Sequence, residues 1–196
     1  MAASGGINSA GFVVVSTAIE AKHPPPGIYR VFLQDALLGR CTRVDQALEL
    51  VLSLPHLGGT ITMADASGVI AAVELNPDAV VVERPSARPW VARTNHYCGI
   101  PGIEADSSKI AATKSCERLA EMRAFTTELS QSEEPWMAVE ERIITQMTSH
   151  DGAGAVCRHG GESVTIATSL FTTRPAAVLT SIGPGCEGNW ERWTFE

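Results

Sequence analysis

The chain has 196 residues, 44% of them hydrophobic, enough for one domain with a sizeable core. Its formal charge of −7, with no Lys/Arg cluster, excludes the basic face that a nucleic-acid backbone or an anionic membrane demands. No apolar run reaches the roughly 18 residues of a membrane span, and Met1 to Gly6 has neither the charged nor the apolar region of a signal peptide.

The chain opens on Gly6-Ile7-Asn8-Ser9-Ala10-Gly11-Phe12, a glycine-bounded turn that runs into the apolar strand Val13-Val14-Val15. His23-Pro24-Pro25-Pro26-Gly27 then forces an extended passage, because three prolines lack amide donors. Tyr29, Val31, Phe32, Ala36 and Leu37 fall near helical spacing, with Gly39 available to close the helix. Thr42 and Asp45 form a variant capping box that opens a second helix over Val44 to Leu54, ended by Pro55. Strands are expected at Thr60 to Ala64, Val69 to Leu75 and Val80 to Val82, joined as an antiparallel meander by turn-forming Asp65-Ala66-Ser67-Gly68 and Asn76-Pro77-Asp78. From about Ser107 the period becomes helical, through Lys109 to Leu129 and again over Trp136 to Met147. Ser163 to Thr168 and Ala176 to Ser181 make a terminal strand pair, and the residues after Gly183 read as a C-terminal turn. With no repeat and no dividing linker, residues 1–196 form a single α+β domain rather than a series of βαβ units.

Several motifs carry a chemical reading and a plainer one. Gly183-Pro184-Gly185-Cys186-Glu187-Gly188 has the letters of a dinucleotide loop, but no helix follows to receive a pyrophosphate. Cys157-Arg158-His159 offers zinc-type ligands without a partner pair at recognisable spacing, so it is read as a strand end and no metal is expected. The five cysteines, Cys41, Cys98, Cys116, Cys157 and Cys186, are odd in number and lack a Cys-x-x-Cys pair, which suits reduced thiols and a cytoplasmic location. Cys98, just after Asn95-His96-Tyr97, is either a thiol activated by an imidazole or a small buried hydrophobe. Asn95 either caps a turn or aims its NH₂ at a developing oxyanion, and Asn8 admits the same two readings.

Taken in order, Gly-Ile-Asn-Ser-Ala-Gly-Phe (6–12), the helix ending at Pro55, Met-Ala-Asp-Ala-Ser-Gly (63–68), Val-Glu-Leu (73–75), Arg-Thr-Asn-His-Tyr (93–97), Ser-Cys-Glu-Arg-Leu (115–119), Cys-Arg-His (157–159) and Gly-Pro-Gly-Cys-Glu-Gly (183–188) span nearly the whole chain. This order resembles the isopenicillin N acyltransferase-like family, relatives of the choloylglycine amide hydrolases. The resemblance implies the N-terminal-nucleophile fold, an αββα sandwich of antiparallel sheets between helical layers. It also implies a linear-amide hydrolase or acyltransferase, in which a cysteine activated by its own α-amino group forms an acyl-enzyme that water or an amine resolves. Expected partners are a small-molecule amide or thioester, acyl-CoA among them as substrate, with no cofactor. By the same match Asn95 resembles the oxyanion-hole asparagine, Asn8 a second polar residue of that site, and Arg118 an arginine that steadies the nucleophile region. The family's nucleophilic cysteine precedes the Gly-x-Asn turn, where this chain has only Met1 to Gly5. The expectation is therefore a fold incomplete at its N-terminus with the nucleophile upstream, or a scaffold that binds without catalysing.

Overall fold

The computed structural model describes residues 5–19, 27–100, 107–160 and 163–195. The expected proline passage at 23–26 lies outside these residues. The opening turn joins β1 (Gly5–Ile7) to β2 (Val13–Thr17), which pair antiparallel as Ile7 with Val13 and Gly5 with Val15. β3 (Gly59–Ala64), β4 (Ile70–Asn76) and β5 (Ala79–Glu83) follow as the expected meander, and the five strands lie in sequence order, β1-β2-β3-β4-β5.

Period-two alternation decides which face of this sheet is covered. Phe12 and Val14 align with Ile61 and Met63 and with Ala71, Val73 and Leu75, all buried on one side. Across them pack α1 (Arg30–Arg40), through Leu33 and Leu37, and α2 (Val44–Ser53), through Val44, Ala47, Leu48 and Val51. Fully burying Leu33, Leu37 or Phe12 stabilises the domain by about 1.5–3 kcal/mol each. The expected boundaries of both helices hold to within a residue or two, but their caps differ. Gly39 lies inside α1, and α2 is not opened by a Thr42/Asp45 box. Thr42 bonds Gln46 Oε1 instead, and the first amide of α2, Val44 N, donates to Asp65 Oδ2 at 2.9 Å from the β3–β4 turn. The acceptor that a local box would supply comes from across the sheet.

β4 is buried along both faces from Ala71 to Asn76, because the segment 93–100 covers the side that α1 and α2 do not. Beyond it, the single helix expected over 109–129 is two helices, α3 (Ser107–Ala112) and α4 (Ser115–Leu129). They are broken at Thr113-Lys114, where Lys114 takes a left-handed φ of 49°. α5 (Trp136–Thr148) follows as expected. Short β6 (His159–Gly160) and β7 (Ser163–Val164) pair with each other. The terminal pair is β8 (Ala167–Thr173) with β9 (Ala176–Ile182), so the first of these strands starts later than the 163–168 expected. The residues expected to form only a turn at the C-terminus contain a 3₁₀ turn (Gly185–Glu187) and an edge strand, β10 (Trp190–Thr194), paired with β9. The second sheet is thus β10-β9-β8, and β1 of the first sheet contacts both β8 and β9. No helix among the described residues is long and apolar enough to cross a membrane.

Candidate active site

Asn95 lies on the irregular segment between β5 and α3, and three anchors hold that segment on the sheet. Glu74, fully buried on β4, accepts the amides of Cys98 and Gly99 at 2.8 Å each and lies 3.0 Å from Arg93 Nε. Arg93, its side chain only 2% exposed, extends on to Glu83 at 2.5 Å. Tyr97 donates its hydroxyl to the Leu75 carbonyl at 2.7 Å. Buried charges survive in such places only when paired and hydrogen-bonded, as these are.

The break between α3 and α4 supplies the rest of the site. Ser115, the first residue of α4 and wholly buried, accepts the Asn95 amide at 2.8 Å, while its hydroxyl donates to Thr94 Oγ1 at 3.1 Å and its carbonyl accepts from Thr94 Oγ1 at 2.9 Å. His96 Nδ1 stands 2.8 Å from the same Ser115 Oγ. The arrangement that satisfies all these groups puts the imidazole proton on Nδ1 and leaves Nε2 as an acceptor. Burial holds the His96 pKa below the usual histidine range, and Arg123, Arg118 and Arg93 add to the effect against the opposing pull of Glu74. The ring is neutral at pH 7.

One turn into α4, Arg118 Nη2 donates to Asn95 Oδ1 at 2.9 Å, and Asn95 Nδ2 donates to the Ala18 carbonyl at the end of β2 at 2.9 Å. A guanidinium has only donors and a carbonyl only acceptors, so the two partners fix which way the Asn95 amide faces. They also use only one of its two N–H bonds. Arg118 Nε donates to the Thr113 carbonyl at 3.0 Å, and Arg158 reaches the same oxygen. Burial and then the Arg158 charge push the Arg118 pKa below the usual arginine value, with Glu117 opposing, although the guanidinium stays protonated. The second Asn95 N–H, without a partner among the described residues, sits in a partly buried surrounding beside the Arg118 guanidinium.

Of the residues singled out in the sequence, Asn95 and Arg118 are brought together and Asn8 is not. Asn8 sits at the other end of β2, on the order of 20 Å away along the strand at about 3.3 Å per residue. Its Nδ2 donates to the carbonyls of Leu38 and Cys41 at 3.0 and 2.8 Å, and its Oδ1 accepts from Ala10 N and Phe12 N at 3.1 Å each. Both amide hydrogens are spent on tying the opening turn to the end of α1, the arrangement of the turn-capping reading.

The cysteines also differ from expectation. Cys98 is exposed rather than a small buried hydrophobe; its thiol meets only the His96 carbonyl, at 4.0 Å, and burial of its surroundings pushes its pKa up, partly offset by Arg93. The imidazole faces Cys116 instead, with Nε2 at 3.9 Å from Sγ. Cys41 is buried beside α1 and α2. Cys157 and His159 do have partners, because His150 and Cys186 converge on them from elsewhere in the chain. No sequence spacing announces that convergence.

A family model described as acyl-coenzyme A:6-aminopenicillanic acid acyl-transferase matches residues 3–183. Among solved structures, penicillin V acylase from Agrobacterium tumefaciens is similar, with a TM-score of 0.62 and 13% sequence identity over 92% of this chain. The chain spans 63% of that protein's length. No curated protein matches. At such identity the likeness establishes the fold, the α+β architecture of antiparallel sheets found in N-terminal-nucleophile hydrolases.

Proposed function

We propose, from the premise that the chain belongs to the acyl-coenzyme A:6-aminopenicillanic acid acyl-transferase family, that it forms the oxyanion-stabilising part of an amide hydrolase or acyltransferase working through a cysteine acyl-enzyme. The observation that carries this reading is the Asn95 amide, locked in one orientation by Arg118 and Ala18 with one N–H still to give. A thiolate adds to an amide or thioester carbonyl, the negative charge gathers on oxygen, and the spare N–H receives it. The amine or coenzyme A thiolate then leaves, taking a proton in the amine case, and water or a second amine resolves the thioester. Arg118 is a positioning residue, since it acts on the oxyanion through Asn95.

We assign the nucleophile to a cysteine outside these 196 residues. Cys41 is enclosed, Cys157 and Cys186 belong to a separate cluster, and the Cys98 thiol meets only the His96 carbonyl among the described residues; Cys116, with Sγ 3.9 Å from His96 Nε2, is the one alternative within the chain. The acyl donor is a small amide or a thioester such as acyl-CoA and the acceptor is water or an amine, with no cofactor in the chemistry. Purified protein from the full reading frame should hydrolyse penicillin V or transfer an acyl group to an amine, and lose both on thiol alkylation. If the full protein turns over none of a panel of amides and thioesters, a binding scaffold is the correct reading. Activity of the 196-residue chain alone that disappears in Cys116→Ser would place the nucleophile beside His96 and overturn the assignment outside the chain.

A further inference from the structure

We propose that His150, Cys157, His159 and Cys186 bind a single tetrahedral zinc ion that staples the end of α5 to the strands and turn of the C-terminal region. The ligand atoms of the four side chains all lie within 4.8 Å of one another. The sulfurs of Cys157 and Cys186 are 3.5 Å apart, Cys157 Sγ is 3.8 Å from His159 Nε2, and His159 Nε2 is 2.9 Å from Cys186 Sγ. Zinc with bonds of about 2.3 Å to sulfur and about 2.0 Å to nitrogen would set the edges of its tetrahedron at roughly 3.3–3.8 Å. The cluster therefore needs only small adjustments to close on an ion. The rings of His150 and His159 lie 4.9 Å apart, tilted by 58°, which lets both present a nitrogen to one point.

The donor set selects the metal. Two thiolates and two imidazoles suit zinc, whereas calcium and magnesium require oxygen ligands. Glu187 completes the pattern, because its Oε1 lies 3.5 Å from His159 Nδ1 while Nε2 faces the sulfurs. A carboxylate behind a ligating histidine orients the ring for metal. With four protein ligands no coordination position stays open, so the ion is structural rather than catalytic.

The surrounding fold has a use for such a staple. α5 has no buried residue, and the four ligands come from the residue after its C-cap, from the approach to β6 and its first residue, and from the 3₁₀ turn before β10. These pieces share little apolar core, and metal ligation commonly substitutes for one. Arg158, between two of the ligands, contacts the same Thr113 carbonyl as Arg118. The metal would thus fix the outer end of the arginine pair behind Asn95. The zinc site itself stands independently of the acyl-transfer reading.

The test is metal binding by the purified, reduced protein after chelation, followed by zinc titration against a chromophoric chelator and cobalt substitution read by absorption. One equivalent of zinc per chain is expected, together with tetrahedral cobalt bands, thiolate-to-cobalt charge transfer and a higher melting temperature. Glu187→Gln should weaken zinc by about ten- to a hundredfold, the range of an outer-shell change, and Cys157→Ser, Cys186→Ser, His150→Ala and His159→Ala by more. Cys41→Ser should leave the stoichiometry unchanged. Absence of the cobalt charge-transfer band from the unaltered protein would overturn the proposal whether or not the variants fold. So would zinc retained by the Cys157→Ser/Cys186→Ser double variant, or a Cys157–Cys186 disulfide that persists under reduction and leaves no metal bound.

Discussion

Replacing Glu74 by Gln tests whether the segment carrying Asn95 is held by a buried charge. In the native protein one carboxylate oxygen accepts the Cys98 amide and faces Arg93 Nε at 3.0 Å as an ion pair, and the other accepts the Gly99 amide. A Gln side chain must turn its NH₂ toward one of those amides, leaving a buried donor unpaired at a cost of about 1–3 kcal/mol. It also removes the charge that faces Arg93, and breaking a buried pair from one side costs about 3–5 kcal/mol. Glu83 stays 2.5 Å from Arg93 and cushions that loss, so the sum falls near the lower figure, about 3–5 kcal/mol in all. For a domain of this size each kcal/mol lowers Tm by about 2–4 °C, which gives a fall of about 6–20 °C. Glu83→Gln is the internal control. Its side chain is 25% exposed and water can replace its bonds, so it should cost about 1 kcal/mol. Calorimetry with urea denaturation at pH 7 reads both variants. A Glu74→Gln protein that melts within about 2 °C of wild type, or a Glu83→Gln protein that falls as far, would refute the reasoning.

If protein from the full reading frame turns over substrate as proposed, Asn95→Ala should lower kcat about a hundredfold or more with KM nearly unchanged, because the lost N–H acts in the transition state; wild-type kcat would remove Asn95 from the site. Arg118→Ala should reduce kcat less and lower Tm as well, since it frees the Asn95 amide and strips a bond from the Thr113 carbonyl at the α3–α4 break; unchanged kcat with unchanged Tm counts against a positioning role. Burial raises the Asp65 pKa, but the Ser67 hydroxyl and the amides of Val44 and Ser67 outweigh it, so the folded value lies below the usual carboxylate one. The stability this contributes is complete above the unfolded pKa of about 3.9 and is lost as pH falls through that value toward the folded one. Urea midpoints of wild type should therefore drop more steeply than those of Asp65→Asn between pH 5 and 3, and parallel curves would contradict the assignment. Gly11→Ala should destabilise by about 2 kcal/mol or more, because φ is +77° and a Cβ would come 2.2 Å from the Thr173 carbonyl; a neutral Tm would show that the turn relaxes.

The first sheet was legible because alternation and turn chemistry are local. Val13 to Ser16, Ile61 to Met63 and Ala71 to Leu75 declare their faces, and Asn76-Pro77-Asp78 its turn, within a few residues of sequence. The break at Thr113-Lys114 was not, since neither residue is a helix breaker and the left-handed Lys114 is imposed by what Ser115 and Thr113 bind. Trp190 to Thr194 was hidden by its flanking glycines and becomes a strand through pairing with β9. Asn95 could be seen as an asparagine in a turn. Its orientation depends on Ala18, 77 residues before it, and on Arg118, 23 after it, and no local pattern encodes either. Asn8 shows the converse: its turn partners were readable nearby, while Leu38 and Cys41, which use up its NH₂, were not. The four-ligand cluster draws on residues 150 to 186 and exists only once the chain is folded.

The sheet order β1-β2-β3-β4-β5 has a bearing on the order in which the protein is built. Each strand pairs with its neighbour in sequence, and α1 and α2 pack on the same sheet, so the described residues from Gly5 to Glu83 share one two-layer unit. Apart from the β2–β3 pairing, which spans α1 and α2, these strand contacts close short loops and form early. During synthesis this platform can assemble while Asn95, Ser115 and Arg118 are still on the ribosome. The residues that orient the amide then arrive, one segment after another, on a surface already in place.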